Sequence, residues 1–278
     1  MAEINAHHGL LRDVNLHVDD TGGPGRPVVL IHGWPLSGES WKHQVPALAA
    51  AGYRVITYDR RGFGRSDKPL TGYGYDSLAS DLNAVLTSLD LSDVTLVGFS
   101  MGGGEVARYV SQYGTERIHS VVFASAVPPF LLKMPGNPDG PLSLSLAARM
   151  TAQLTADQDS FYDDFMTQFF SANGELVVTE EERQAAIALA HQAFKPAALE
   201  AMAAFANTDF RDDLKKVTVP TLVIHGDADA TVPFEGSGER THAAIPGSEV
   251  HVVVGGPHGV NVSHVEEWNR VVLAFLAK

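Results

Sequence analysis

The feature that most limits the fold is a series of short β-branched runs, each followed by a glycine-containing turn and then a helical pattern. The runs are Val28–Ile31, Tyr53–Tyr58, Val94–Val97, Ile118–Ala124, Thr221–Ile224 and Val250–Val254. Continuous apolar runs of this length suit parallel strands covered on both faces. Amphipathic helices lie between them. The clearest is expected after an N-cap at Asp76, with Leu78, Leu82, Val85, Leu86 and Leu89 on one face, and the last from Ser263 to Leu276. Strands alternating with helices predict an α/β domain with a mostly parallel sheet. Leu10–Val18 alternates weakly and is expected as an antiparallel edge strand.

Residues 128–213 break this rhythm. The segment opens with Pro128-Pro129, Pro135-Gly136, Asn137-Pro138 and Gly140-Pro141, which mark loop. Helical patterns follow at about 142–155, 157–171, 179–192 and 196–206, with no strand expected. A helical insertion in an α/β sheet is well placed to cover the strand ends, where such sheets bind ligands. The expected organisation is a core of residues 1–127 and 214–278 carrying a helical cap at 128–213.

Composition narrows the function classes. At 278 residues the chain is long enough for one large core or two small ones. It has no cysteine, which removes thiol catalysis, zinc–thiolate sites and iron–sulfur clusters. No H-E-x-x-H or comparable ligand set is present, so no metal is expected. The net charge of −13 and the lack of a basic footprint argue against nucleic acid, since Arg60-Arg61 and Arg65 sit among Gly and Asp. The apolar runs are too short for a membrane span, and MAEINAHHGLLRDV lacks the layout of a secretory signal. The expectation is a soluble cytoplasmic protein. Asn261-Val262-Ser263 fits a glycosylation pattern that would then stay idle.

Gly98-Phe99-Ser100-Met101-Gly102 is the most informative segment. A G-x-S-x-G turn from strand to helix presents the serine hydroxyl at a crowded bend. Here it follows an apolar strand and precedes an amphipathic helix carrying Val106, Tyr109, Val110 and Tyr113. A serine hydroxyl needs a base, and the base needs an orienting acid. His258 sits in the loop Gly255-Gly256-Pro257-His258-Gly259 just past the last strand, whereas His251 lies within that strand and His264 begins the final helix. His7 and His8 fall in the N-terminal segment, expected to be mobile. The acid is Asp227 or Asp229, both in the loop after Thr221–Ile224, and an Asx-turn role is the alternative for each. A metal reading would combine His225 with one of these aspartates, but the ligand set is incomplete. Acyl transfer also needs backbone donors at the developing oxyanion. Met101, at the start of the helix, offers one N–H. Trp34, in His32-Gly33-Trp34-Pro35, offers another; Pro35 cannot donate but biases Trp34 toward an extended backbone. His32 is expected to steady this loop.

Together, His32-Gly33-Trp34-Pro35, YDRRGFGRSD (58–67), VGFSMGGGEVARY (97–109), DFRDDL (209–214), VPTLVIHGDAD (219–229) and Pro257-His258-Gly259 resemble the α/β-hydrolase fold family. The similarity is to its cofactor-free haloperoxidase, aryl esterase and perhydrolase members and runs from about residue 10 to the C-terminus. The resemblance implies an eight-stranded, mostly parallel sheet with a helical cap. It also implies Asp229 as the acid, because the family's G-x-x-D pattern falls on Gly226-Asp227-Ala228-Asp229, leaving Asp227 the turn role. Haloalkane dehalogenases and epoxide hydrolases place Asp at the elbow, so Ser100 argues against both.

The activity implied is cleavage of small carboxylic esters through an acyl-enzyme on Ser100, with His258 as base. Hydrogen peroxide in place of water would give a peracid that oxidises bromide, with no cofactor. Pro35 resembles the perhydrolase-type members, and the Trp34 carbonyl is the expected acceptor for bound peroxide. Opening of small cyclic lactams is the alternative, and a non-catalytic ligand sensor on the same fold a more distant one. Trp34, Pro35, Phe99, Met101, Phe130, Leu131, Phe165 and Phe194 are candidate pocket walls. Relatives that form homo-oligomers make such an assembly an expectation here.

Overall fold

In the computed structural model, residues 2–6 and 13–278 are described. His7, His8 and residues 10–12 lie outside them. The strands are β1 (Ala2–Ala6), β2 (Val14–Asp20), β3 (Pro27–Ile31), β4 (Arg54–Tyr58), β5 (Val94–Phe99), β6 (Ile118–Ala124), β7 (Ser171–Ala172), β8 (Glu175–Leu176), β9 (Thr221–Gly226) and β10 (Glu249–Val253). Eight of them form one sheet in the order β1-β2-β4-β3-β5-β6-β9-β10. From β4 to β10 every neighbour is parallel, while β2 runs antiparallel to both β1 and β4. Val28, Val29, Leu30 and Ile31 of β3 are all inaccessible, as a strand covered on both faces requires. Residue alternation survives only at the antiparallel edge, where Val14, Leu16 and Val18 point inward.

The expected edge strand is therefore corrected. Its residues from Val14 on form β2, and Ala2–Ala6 pairs outside it, so β2 is second from the edge.

The helices are α1 (Gln44–Ala50), α2 (Tyr75–Ser88), α3 (Met101–Tyr113), α4 (Leu144–Ala156), α5 (Gln158–Phe169), α6 (Glu180–Ala190), α7 (Lys195–Asn207), α8 (Arg211–Leu214), α9 (Gly238–Ala244), α10 (Val260–Ser263) and α11 (Val265–Leu276). Two boundaries differ from the sequence pattern. The N-cap of α2 is Gly74, not Asp76, because the Asp76 carboxylate is taken by Arg108 and Gln112 of α3. The expected final helix is split, since His264 leaves helical geometry at φ −124° between α10 and α11. No helix among the described residues is long and apolar enough to cross a membrane.

Helices α4 to α7 fall between β6 and β9, close to the expected helical patterns. They are interrupted by β7–β8, a hairpin missing from the sequence expectation. Its two loop residues, Asn173 and Gly174, have φ of 53° and 86°, the positive values that a tight Asn-Gly hairpin turn demands. The sheet reverses its order between β3 and β5, so a crevice opens at their carboxyl ends. The loop after β3 and the turn after β5 meet there.

Candidate active site

The turn from β5 into α3 is built by close approach. A Cβ on Gly98 would stand 2.5 Å from the Gly102 carbonyl oxygen, and one on Gly102 would stand 2.5 Å from that of Ile31. Only glycine permits both contacts. Between them Ser100 adopts φ 54°, ψ −117°, a backbone state that side-chain-bearing residues rarely occupy. Its N–H donates to Ala124 (2.8 Å) and its carbonyl accepts from Val127 (3.1 Å), which fixes the bend against β6. Ser100 stands at the N-cap position of α3, yet its hydroxyl makes no cap bond. It points instead to His258, with Oγ 2.9 Å from Nε2.

His258 Nδ1 lies 2.6 Å from Asp229 Oδ2. With that nitrogen donating to the carboxylate, Nε2 holds the lone pair that faces Ser100. Asp229 Oδ1 accepts the backbone N–H groups of Thr231 (2.9 Å) and Val232 (2.7 Å). Burial works to push the Asp229 carboxyl up. The adjacent His258 and the hydrogen bonds from His225 and His258 outweigh it and hold the group down at about 2. Asp229 is thus a carboxylate at neutral pH, although it is buried.

The structure separates the two aspartates that the residues alone left open. Asp227 faces away and accepts the Gly255 N–H at 2.6 Å, tying the β9 loop to the β10 loop. His225 spends Nε2 on the Val232 carbonyl (2.8 Å), with Asp229 Oδ2 at 3.3 Å. Phe99 and Phe169 pack on the His258 ring at centroid distances of 5.2 and 4.8 Å. Gly259 N–H donates to the Phe169 carbonyl (3.0 Å), so α5 also anchors this loop. His251 pairs with Glu267, and His264 bonds Ser263; neither is near Ser100.

Beside Ser100, the N–H groups of Trp34 and Met101 make no hydrogen bond to a protein acceptor among the described residues. The Trp34–Pro35 peptide is cis. The Trp34 indole N–H donates to the Ala198 carbonyl (3.0 Å), joining the β3 loop to α7.

A cavity of about 340 Å³ opens over Ser100. Of the expected wall residues, Trp34, Leu131 and Phe165 line it. The others do not. Phe99 and Met101 are buried beneath the elbow, and Pro35 is buried behind Trp34. Phe130 turns its ring toward the Arg211 guanidinium, 5.7 Å away. Phe194 caps α7, with its N–H on the Gly62 carbonyl (2.8 Å). The sequence reading missed Leu142, Leu146 and Met150, one i, i+4 stripe running into α4, and Phe161, which completes such a step with Phe165 on α5. That spacing was a readable signal.

The alpha/beta hydrolase fold model matches residues 26–265. A non-heme chloroperoxidase of Kitasatospora aureofaciens is 45% identical, covering 92% of this chain and 94% of its own. A bifunctional esterase/perhydrolase of Acinetobacter calcoaceticus is 36% identical over 95% of this chain and 96% of its own. A bromoperoxidase from Bacillus anthracis superposes with a TM-score of 0.96 at 51% identity, over 100% of this chain and 99% of that one. The chain belongs to the alpha/beta hydrolase fold family, within its group of non-heme haloperoxidases and esterase/perhydrolases.

Proposed function

We propose that this chain is a serine esterase and perhydrolase acting on small carboxylic esters. One observation carries the reading: Ser100, linked through His258 to Asp229, stands on the wall of the cavity, beside two backbone N–H groups that have no protein acceptor among the described residues. Ser100 attacks the ester carbonyl while His258 Nε2 takes its proton, and Asp229 stabilises the imidazolium that forms. The oxyanion is received by the N–H groups of Trp34 and Met101. His258 returns the proton to the departing alcohol, leaving an acyl-enzyme. Water activated by His258 then releases the acid.

With hydrogen peroxide as the acceptor, the same step releases a peracid and restores the Ser100 hydroxyl. The peracid transfers one oxygen to bromide, giving hypobromite and the carboxylic acid. The names of the chloroperoxidase and esterase/perhydrolase relatives support this second reaction. We assign the Trp34 carbonyl, next to Pro35, as the acceptor for bound peroxide. Residues 128–213 serve as the cap that closes the cavity.

The test is the hydrolysis of 4-nitrophenyl acetate by wild type and Ser100→Ala, with and without peroxide. The expected loss in the variant is about a thousandfold or more, with peracid formed only by the wild type. Equal rates in the two proteins would remove Ser100 as nucleophile. In the same assay Pro35→Leu is expected to change the ratio of peracid to acid, and an unchanged ratio withdraws the carbonyl assignment.

A further inference from the structure

Beneath the cavity lies a buried polar chain that the proposed reaction does not touch. Tyr58 at the end of β4 donates its hydroxyl to Glu105 Oε1 on α3. Arg60 donates Nε to Glu105 Oε2 (2.9 Å) and Nη2 to the His32 carbonyl (2.8 Å). The Arg60 backbone N–H donates to His32 Nε2 (2.9 Å), and His32 Nδ1 donates to the Gly33 carbonyl (2.9 Å). Tyr58, Arg60, Glu105 and His32 are all at most 1% exposed. The Gly33 carbonyl also accepts the Leu36 N–H (3.0 Å), closing the turn whose two central residues are Trp34 and Pro35. Gly33 itself presses on the elbow, since a Cβ there would stand 2.7 Å from Phe99 and 3.1 Å from Ser100 Cβ.

We propose that Glu105, Arg60 and His32 form a positioning relay that locks the turn bearing the Trp34 N–H to the helix that begins with the Met101 N–H. The inference rests on the serine reading above. Its logic is geometric. The two oxyanion donors come from different elements, one on the loop after β3 and one at the start of α3. Their separation is set only if those elements are joined, and Glu105 sits on the same helix as Met101, one turn in. Arg60 spans from that carboxylate to the loop, and His32 clamps the Gly33 carbonyl. Arg60 N–H fills the lone pair of Nε2, so Nδ1 must carry the proton. Burial, with Arg60 alongside, holds the ring down at about 3, keeping it neutral in this tautomer.

The test compares His32→Ala, His32→Asn and His32→Gln with wild type and Ser100→Ala. Readouts are kcat and KM for 4-nitrophenyl acetate, inhibition by phenylboronic acid, and the thermal midpoint. Boronic acids add to a serine hydroxyl and place an oxygen where the oxyanion forms. His32→Ala is expected to lose about 30-fold in kcat with KM within about threefold, below the full loss of a donor. Its boronate affinity should fall by a similar factor. Asn places an amide N–H near the Nδ1 position and should retain most of kcat. Gln reaches the Nε2 position, leaves the Gly33 carbonyl unclamped and should resemble Ala. A merely structural role would lower the midpoint without this Asn-over-Gln order. Glu105→Gln, where it folds, is expected to follow Ala. Folded His32→Ala with wild-type kcat and boronate affinity overturns the proposal, as does Gln equal to or better than Asn if Ala fails to fold. If Ser100→Ala stays active, the serine reading falls and takes this one with it. An inactive Ser100→Ala beside fully active His32 variants removes the relay alone.

Discussion

Replacing Asp229 by Asn tests whether the carboxylate sets the tautomer of His258. Asp229 Oδ1 accepts two backbone N–H groups, from Thr231 at 2.9 Å and Val232 at 2.7 Å. An amide in the same place must put its oxygen there, because its NH2 has nothing to offer two donors. The NH2 then takes the Oδ2 position, 2.6 Å from His258 Nδ1. A donor facing Nδ1 forces the imidazole proton onto Nε2, and that nitrogen can no longer accept the Ser100 proton. The variant also loses a charge. With charge centres roughly 4 Å apart and an effective dielectric near 20, about 4 kcal/mol of imidazolium stabilisation disappears. That is close to a factor of 10³ in rate, and the wrong tautomer carries the expected loss in kcat to about 10³–10⁴. The assay is pre-steady-state and steady-state hydrolysis of 4-nitrophenyl acetate. Asp227→Asn is the internal control, since the Asp227 carboxylate accepts the Gly255 N–H and an amide oxygen can do the same. It should stay within about threefold of wild type. Retention of more than about a tenth of kcat by Asp229→Asn, or an equal loss in Asp227→Asn, would refute the reasoning.

Two further outcomes concern stability. His32 is held neutral in the fold down to about pH 3, chiefly by burial and next by Arg60, against the Gly33 carbonyl and Asp59, which favour its protonation. The unfolded chain takes up that proton near pH 6.5, so His32 contributes full stability above 6.5 and loses it as pH falls toward 3. By pH 4.5 this amounts to about 3 kcal/mol, and urea midpoints of His32→Asn should be flatter than wild type between pH 6.5 and 4.5; parallel curves would contradict the shift. Gly102→Ala would bring a Cβ to 2.5 Å from the Ile31 carbonyl oxygen, backbone against backbone, and should cost about 2–3 kcal/mol in urea unfolding. Gly136→Ala, which meets nothing within 4 Å, should stay within about 0.5 kcal/mol, and equal effects at the two positions would discount the close approach.

What could be read from the sequence follows from how local each signal is. The central strands announce themselves because both faces are buried, so Val28–Ile31 and Val94–Val97 have no polar residue that faces solvent. The elbow is equally local, since five consecutive residues carry both the strain and the small neighbours that relieve it. The cap expected at Asp76 fails for the opposite reason. Asp76 looks like a cap by position, but its carboxylate belongs to Arg108 and Gln112, more than 30 residues away. Phe130 and Phe194 failed likewise, because which way a cap aromatic faces depends on Arg211 and on the turn of α7. The Asn173-Gly174 hairpin is legible as an Asn-Gly turn in the gap between two helical patterns, but the strands beside it are only two residues each and leave no alternation to read.

The relay beneath the oxyanion loop shows how such distant pairings become readable. Glu105 lies in a helix face with Met101, Val106 and Tyr109, and Arg60 follows a strand whose last four residues are all buried. A full charge in a segment that otherwise reads as core must have an opposite partner, because burying it alone costs several kcal/mol. Among the described residues these charges pair as Arg60 with Glu105, Arg61 with Asp81 and Arg65 with Asp59. From the sequence either Arg60 or Arg61 could answer Glu105, and both choices join a buried helix to the β4 loop; the fold gives Glu105 to Arg60. His32 stands next to the pair on the third element meeting there, with both ring nitrogens engaged. A charge out of place in an apolar pattern is thus a long-range constraint, and here it leads to the turn that presents Trp34.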